Sequence, residues 1–236
     1  MVSDILSDVR RELESSVDEK TKNSYQRFFK EDIKFYGVKT PTVGKIARRY
    51  FANIIEKNKE EIFTLCEKLL ETDYCEEAFI AFEWTYSLRK YYDEDDFTIF
   101  EGWVKKYVNN WAKCDTLCNH SLGSYIEQFP KYVANLKAWT KSENRWLRRA
   151  SAVTLILPAR KGKFLNDIFE ICDNLLRDED DLVQKGYGWL LKETSRTHQK
   201  QVFEYIMKNK KNIPRTALRY AIEKLPKNLR DIAMKK

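Results

Sequence analysis

Residues 146–150 read Trp-Leu-Arg-Arg-Ala, a large apolar residue, three residues of mixed type and a small residue that opens an apolar helix. The same kind of block recurs as Tyr74-Cys-Glu-Glu-Ala78, Trp111-Ala-Lys-Cys-Asp115, Leu182-Val-Gln-Lys-Gly186 and Ile213-Pro-Arg-Thr-Ala217. Successive blocks start roughly 31 to 37 residues apart, an interval typical of repeated helical pairs. The sequence therefore predicts an all-α protein, an α-solenoid of HEAT-like or armadillo-like repeats.

The segments between the blocks have apolar residues at three- and four-residue spacing, as amphipathic helices require. We predict helices over 60–70, 96–108, 131–139, 164–176 and 199–209, with caps or turns at Asp73, Asp93, Ser142 and Asp178. Seven Gly and five Pro in 236 residues are too few for a turn-rich sandwich, barrel or propeller. We expect one domain over residues 1–236, with an N-terminal helical segment at about 1–50 and repeats over about 51–236.

The composition also indicates the cellular compartment in which the protein works. We find no apolar run long enough to span a membrane and no signal peptide at the N-terminus. Five cysteines, an odd and irregularly spaced set, indicate reduced thiols, so we expect a cytoplasmic protein that works alongside the chromosomal DNA. Cys114, Cys118 and His120 lack a second ligand pair at a zinc-like interval, and we therefore predict no metal site.

The net charge of +7 is unevenly distributed along the chain. Residues 131–236 contain twice as many basic as acidic residues, whereas residues 1–130 contain more acidic than basic ones. A basic half on a folded chain suits a phosphate-binding surface, although a solubilising surface has the same composition. From charge alone, nucleic-acid binding and mere solubility both remain open.

The fifth position of the block takes a small residue in four of its five copies: Ala78, Ala150, Gly186 and Ala217. We expect these residues where neighbouring helices approach closely. Asp115 occupies that position in the remaining copy, and a buried, unpaired carboxylate is unfavourable. Because local rules tend to fail at functional sites, Asp115 is the first candidate; the alternative is a carboxylate at the helix start that faces solvent.

Two tryptophans lie one helical turn from a charged residue: Trp111 from Asp115, and Trp189 from Lys185. We expect Lys185 on the same rim of the stack as Arg148 and Arg149. For the other tryptophans we predict core positions: Trp84, Trp103, Trp139 and Trp146.

Four segments resemble the DNA alkylation repair family, the HEAT-like-repeat alkylpurine DNA glycosylases of the AlkD type. They are Phe35-Tyr-Gly-Val-Lys-Thr-Pro41, Trp111-x-x-x-Asp115, Trp146-Leu-Arg-Arg149-Ala and Gln184-Lys-x-x-Gly-Trp189, and the resemblance covers about residues 25–225. It implies that Asp115 is the catalytic carboxylate and that Trp111 and Trp189 line the lesion-side face. It also implies that Arg149 binds the DNA backbone beside the lesion. Gly44 stands where the family often has a basic residue, which implies a lost phosphate contact.

The resemblance implies a monofunctional enzyme that removes cationic N3- and N7-alkylpurines from duplex DNA, through a concave basic groove that does not enclose the base. Breaking the glycosidic bond leaves positive charge on the sugar, which a nearby carboxylate stabilises, and indole rings attract cations. Arg148, Arg149 and Lys185 would contact the DNA. We expect a monomer without metal, nucleotide or redox cofactor. The alternatives are a non-catalytic binder of damaged or branched DNA and a protein-binding scaffold.

Overall fold

The computed structural model describes residues 2–29, 32–54 and 58–235, and within these ranges the chain forms helices and no strand. The helices are α1 (Val2–Ser15), α2 (Glu19–Phe28), α3 (Thr40–Asn53), α4 (Lys59–Leu70), α5 (Cys75–Ser87), α6 (Asp96–Tyr107), α7 (Trp111–Leu117), α8 (Gly123–Gln128), α9 (Val133–Trp139), α10 (Arg145–Val153), α11 (Ile156–Arg160), α12 (Leu165–Leu175), α13 (Asp181–Thr194), α14 (Gln199–Asn209), α15 (Arg215–Ala221) and α16 (Lys227–Met234). The all-α repeat prediction is confirmed.

The predicted helix positions agree closely with those observed. The helix predicted at 199–209 is α14, and the one predicted at 60–70 is α4, which begins one residue earlier. The segment predicted at 131–139 is divided, because Pro130–Tyr132 forms a 3-10 turn before α9 begins. A π-helical turn over Cys118–Leu122 follows α7 directly. None of the described helices is long and apolar enough to cross a membrane.

The chain divides into two compact units, Met1–Asp93 with Tyr107–Thr116, and Glu94–Lys106 with Leu117–Lys236. The extent of a single domain over 1–236 stays a prediction. In the first unit, α5 packs against both α3 and α4, and α1 packs against the same two helices. Trp84 of α5 is fully buried, and its indole N–H donates to the Ala47 carbonyl of α3 at 2.8 Å.

In the second unit, the helices that start with the repeated block pack side by side. Helix α13 lies against α10 and α15, while α9 contacts α12 and α14 contacts α16. Ala150 and Ala217 are fully buried at the predicted small positions. A Cβ atom on Gly186 would make ordinary van der Waals contact with Arg149, so the closest approach lies elsewhere. It lies at Gly188, where an added Cβ would be 2.7 Å from the Ala217 carbonyl oxygen.

The turns before α10 and α13 repeat one hydrogen-bonding scheme. The Ser142 hydroxyl accepts from the Asn144 N–H at 3.1 Å, and the Asp178 carboxylate accepts from the Asp180 N–H at 2.9 Å. Asn144 and Asp180 are in turn the N-caps of the two helices. Ser142 and Asp178 are therefore turn residues, two positions before the caps.

Candidate active site

Helix α7 carries two of the predicted site residues in the first unit. Trp111 and Asp115 are both half-buried and lie one turn apart on this helix. The N-terminus of α7 is closed by Asn110, whose side-chain oxygen accepts from the Lys113 N–H at 3.0 Å. This bond satisfies one of the backbone donors that a helix start leaves open.

An ion pair between a buried lysine and a partly exposed aspartate connects α7 to the loop before α5. Lys113 is 1% exposed, and its ammonium lies 2.5 Å from the Asp73 carboxylate and 3.1 Å from the Asp73 carbonyl oxygen. Asn109 donates to the same carboxylate at 2.8 Å, and Asp73 has the left-handed backbone angle φ of 67°. These contacts position the helix that carries Trp111 and Asp115. Sequence reasoning missed Lys113, although this lysine is the central residue of the block that contains Trp111 and Asp115.

The indole of Trp111 is packed against the end of α2. The Phe29 ring stacks on it with centroids 5.2 Å apart and planes at 19°, and the Phe28 ring meets it edge-on at 5.6 Å. Phe28 itself is 67% exposed. The aromatic surface that the sequence assigned to Trp111 therefore extends to two phenylalanines that it did not single out.

The segment 35–41 of the resemblance is held by two buried glutamates of α5. The Glu76 carboxylate accepts from three successive backbone N–H groups, those of Tyr36, Gly37 and Val38, at 2.8 to 3.1 Å. Glu77 accepts from the Tyr36 hydroxyl at 2.7 Å, and burial, followed by this bond, raises the pKa of Tyr36. Consecutive N–H groups directed at one anion form a strong, charge-assisted cradle. The motif is therefore a rigid loop with fixed side-chain positions.

Gly37 occupies that loop for a steric reason. Its φ is 97°, and a Cβ atom there would lie 2.6 Å from the Lys22 Cβ. Only glycine meets both requirements without strain. The glycine of the motif thus allows α2 to pack directly against the loop.

The other predicted site residues belong to the second unit. Arg149 is 5% exposed, and its guanidinium donates to the Leu182 carbonyl at the start of α13. Arg148 donates to the Asp178 carboxylate at 2.6 Å and to the Ser142 carbonyl at 2.9 Å. Arg149 therefore connects α10 to the first turn of α13, and Arg148 connects it to neighbouring loops, structural roles that the sequence did not predict.

Lys185 and Trp189 lie on α13 and are both half-buried. The Lys185 ammonium pairs with the Asp181 carboxylate at 2.8 Å. Because α10 and α13 pack together, the structure groups these two residues and the two arginines in one unit. The catalytic and DNA-binding roles of all six residues stay predictions.

The remaining tryptophan and cysteine predictions concern packing. All four tryptophans assigned to the core are buried: Trp84, Trp103, Trp139 and Trp146. The five cysteines are free and buried, and burial raises the pKa of the Cys75 thiol to about 11. Within the described ranges, no cluster of three or more His, Cys, Asp or Glu side chains is arranged to hold a metal ion.

The fold and the paired Trp111 and Asp115 define a class of all-helical repeat proteins with a half-buried carboxylate beside an indole. The sequence model of the DNA alkylation repair enzymes matches residues 9–225, nearly the whole chain. The protein therefore belongs to the DNA alkylation repair enzyme family.

Two solved structures have a similar fold. A predicted DNA alkylation repair enzyme from Enterococcus faecalis aligns with a TM-score of 0.79 at 17% identity, covering 90% of this chain and 98% of that one. The smu.31 protein from Streptococcus mutans UA159 aligns with a TM-score of 0.59 at 22% identity, covering 79% and 92%. At these identities the likeness concerns the fold alone. The comparison with curated proteins gave no significant match.

Proposed function

We propose that this protein is a monofunctional DNA glycosylase that hydrolyses the N-glycosidic bond of cationic N3- and N7-alkylpurines in duplex DNA. Its family membership places it in the repair of alkylated DNA. The observation that supports the finer assignment is Asp115, a half-buried carboxylate one turn from Trp111 on a helix anchored by the ion pair of the buried Lys113. A carboxylate held in this way is suited to stabilising positive charge.

The reaction needs only a positioned carboxylate and water. The C1′–N bond breaks and its electron pair neutralises the cationic purine, which leaves as a neutral base. The sugar becomes an oxocarbenium-like cation, and Asp115 stabilises this charge and orients the attacking water. The water oxygen bonds to C1′ and gives up one proton to Asp115 or to solvent. The products are the free alkylpurine and an abasic site.

The cations of the second unit supply the DNA contacts in this proposal. Lys185 is half-exposed and is assigned to a phosphate. Arg149 is largely buried, so its charge acts on nearby phosphates through a medium that screens less than water. The Arg148 charge is compensated by Asp178, so Arg148 is assigned to a hydrogen bond with the DNA rather than to charge attraction. Trp189 is assigned to the lesion side because a half-exposed indole face attracts a cationic base.

Base release from defined duplexes tests the proposal. The purified protein is incubated with duplexes that carry 7-methylguanine, a bulky N7-alkylguanine or hypoxanthine, and the released bases are separated by chromatography. We expect release of both cationic purines and none of hypoxanthine, because a neutral base keeps a strong glycosidic bond. Rapid hypoxanthine release would contradict the charge argument, and exclusion of the bulky adduct would contradict an open groove.

The role of Asp115 is tested by Asp115→Asn, which preserves size and removes the charge. We expect a loss of excision of at least about 100-fold, the magnitude typical of a lost electrostatic stabiliser. Glu71→Gln, which changes an exposed carboxylate of the same unit, is the matched control and should keep full activity. A folded Asp115→Asn protein with unchanged excision would remove Asp115 from the mechanism.

A non-catalytic binder of damaged or branched DNA is the second candidate. The observation that favours it is the basic excess over residues 131–236, which contain twice as many basic as acidic residues and suit phosphate binding without any reaction. This candidate predicts DNA binding without base release, and equal binding by the Asp115→Asn variant.

A further inference from the structure

A pocket of about 250 Å³ opens in the first unit beside the aromatic residues of the candidate site. Its walls are formed by two polar and aromatic segments and one residue of the turn before α5: Lys22, Tyr25, Phe29, Asp32, Ile33, Lys34, Phe35 and Tyr74. Phe29 forms one wall and also stacks on Trp111, so this residue connects the pocket to the candidate site. Neither the repeat pattern nor the proposed reaction accounts for this pocket.

The aromatic walls are held in place by contacts with one another and with Tyr36 outside the pocket. Tyr25 and Phe35 meet edge-on with centroids 5.5 Å apart, and Tyr74 stacks on Tyr36 at 4.3 Å. Tyr36 is fixed in turn by its bond to the buried Glu77. A pocket whose walls are fixed before binding loses little conformational entropy when a flat ligand enters.

The charges at the pocket point to one class of ligand. Lys34 and Asp32 are exposed and Lys22 is half-exposed, so the rim offers two ammonium groups and one carboxylate. Aromatic walls stack on bases, ammonium groups bind phosphate, and a carboxylate accepts the N–H groups of a base edge. The volume is below the roughly 300 to 1,000 Å³ of pockets for drug-sized ligands, which suits one base rather than a base pair.

We propose that this pocket binds a single unpaired nucleobase. The identification of its source rests on the proposed function: the base is either the alkylpurine released by excision or a nucleotide displaced from the duplex near the lesion. Lys22 and Lys34 hold the adjoining phosphate when the base is still part of a strand. The lesion itself remains outside this pocket during bond cleavage.

Binding titrations distinguish the two sources. Free 7-methylguanine and a short duplex with one unpaired 2-aminopurine are titrated into the full-length protein, by calorimetry and by 2-aminopurine fluorescence respectively. A response to the free base identifies the product, and quenching of the 2-aminopurine identifies a displaced nucleotide. If calorimetry shows no binding of the free base and the 2-aminopurine fluorescence also equals that of a fully exposed base, the proposal is wrong.

Substitutions of residues that line the pocket test whether the probes bind there. Tyr25→Leu and Phe35→Leu should each weaken binding of whichever probe binds by about tenfold, because one stacking surface is lost. Lys34→Ala changes only an exposed side chain, so it keeps the fold and should weaken the duplex probe but not the free base. Tyr91→Ala, an aromatic residue of the same unit that is 67% exposed and outside the pocket, is the control. Wild-type affinity in folded Tyr25→Leu and Phe35→Leu proteins would overturn the proposal.

The Asp115→Asn protein separates this inference from the proposed function. It should lose excision and still bind the unpaired base, because Asp115 does not line the pocket. Base binding without any excision by the wild-type protein would refute the glycosylase and leave the pocket assignment intact. Excision by a wild-type protein that binds neither probe would support the glycosylase and refute the pocket assignment.

Discussion

At the residue scale, the third position of the repeated block bonds to an adjacent loop, although its residue type differs from copy to copy. Glu76 accepts from the loop at 36–38, and Lys113 pairs with Asp73. Arg148 donates to Ser142 and Asp178. Gln184 donates to the Asp178 carbonyl at 2.9 Å. In four of the five blocks, an acid, two cations and an amide thus perform one task, which is to connect a repeat helix to an adjacent loop. Because each loop presents a different set of donors and acceptors, the residue type varies while the position does not.

Lys113→Met tests this role where it bears on the candidate site. We expect a loss of about 2 kcal/mol in the free energy of unfolding, because the Asp73 carboxylate loses its buried cation and is only partly solvated. Excision should fall as well, since the start of α7 is no longer fixed. Urea unfolding and single-turnover kinetics measure the two effects, with the exposed Lys45→Met as control. Lys113→Arg should restore most of the activity if positioning is what matters.

At the element scale, the packing of α13 against α15 depends on a glycine outside the repeated block. An added Cβ on Gly188 would lie 2.7 Å from the Ala217 oxygen and 2.8 Å from the Tyr220 Cβ. The same addition on Gly186 would meet Arg149 at 3.4 Å, which is ordinary contact. Two glycines of one helix, two residues apart, therefore differ: Gly188 has no room for a Cβ atom, whereas Gly186 has.

The two alanine substitutions should change stability in opposite directions. Gly188→Ala should destabilise the protein by about 1 to 3 kcal/mol, because α15 must move away. Gly186→Ala should stabilise it by up to about 1 kcal/mol through helix propensity. Thermal and urea unfolding of both variants compare the effects directly. Equal destabilisation by both would mean that α13 has no special contact at Gly188.

At the scale of the whole molecule, global stability should depend on pH through Glu193. This carboxylate is 3% exposed and accepts from Arg160 at 2.8 Å and from Arg196 at 2.6 Å. Burial alone would raise the pKa of Glu193, but the two arginine hydrogen bonds outweigh it and hold the pKa below its ordinary 4.5. The folded state therefore favours the charged form.

A carboxylate with a lowered pKa stabilises the fold above its unfolded pKa and loses this contribution as the pH falls through the folded value. We expect the difference in unfolding free energy between wild type and Glu193→Gln to be constant from pH 7 to about 5 and to shrink below that. Urea titrations at a series of pH values measure it, with the exposed Glu204→Gln as control. A difference that did not change with pH would assign the loss to packing rather than to charge.

The uneven charge of the chain gives a second prediction at this scale. Affinity for duplex DNA should fall steeply with salt, because bound phosphates release counterions. Lys185→Gln should lower the slope of log affinity against log salt by about 0.9, the effect of one phosphate contact. Lys192→Gln changes a lysine of the same helix whose side chain is only 14% exposed, against 32% for Lys185, and it should leave the slope unchanged. Fluorescence anisotropy at several salt concentrations gives both values.

The sequence by itself determined the helical repeats, the buried tryptophans and the pairing of Trp111 with Asp115 on one helix. These features follow from spacing along the chain, since helical periodicity is a local property that three- and four-residue intervals reveal. The burial of Arg149, the stacking of Phe29 on Trp111 and the close approach at Gly188 were decided only by the tertiary structure. Each depends on a partner that is distant in sequence, as Lys113 and Asp73 are 40 residues apart. No local pattern encodes which distant groups meet, because that is settled when the helices pack.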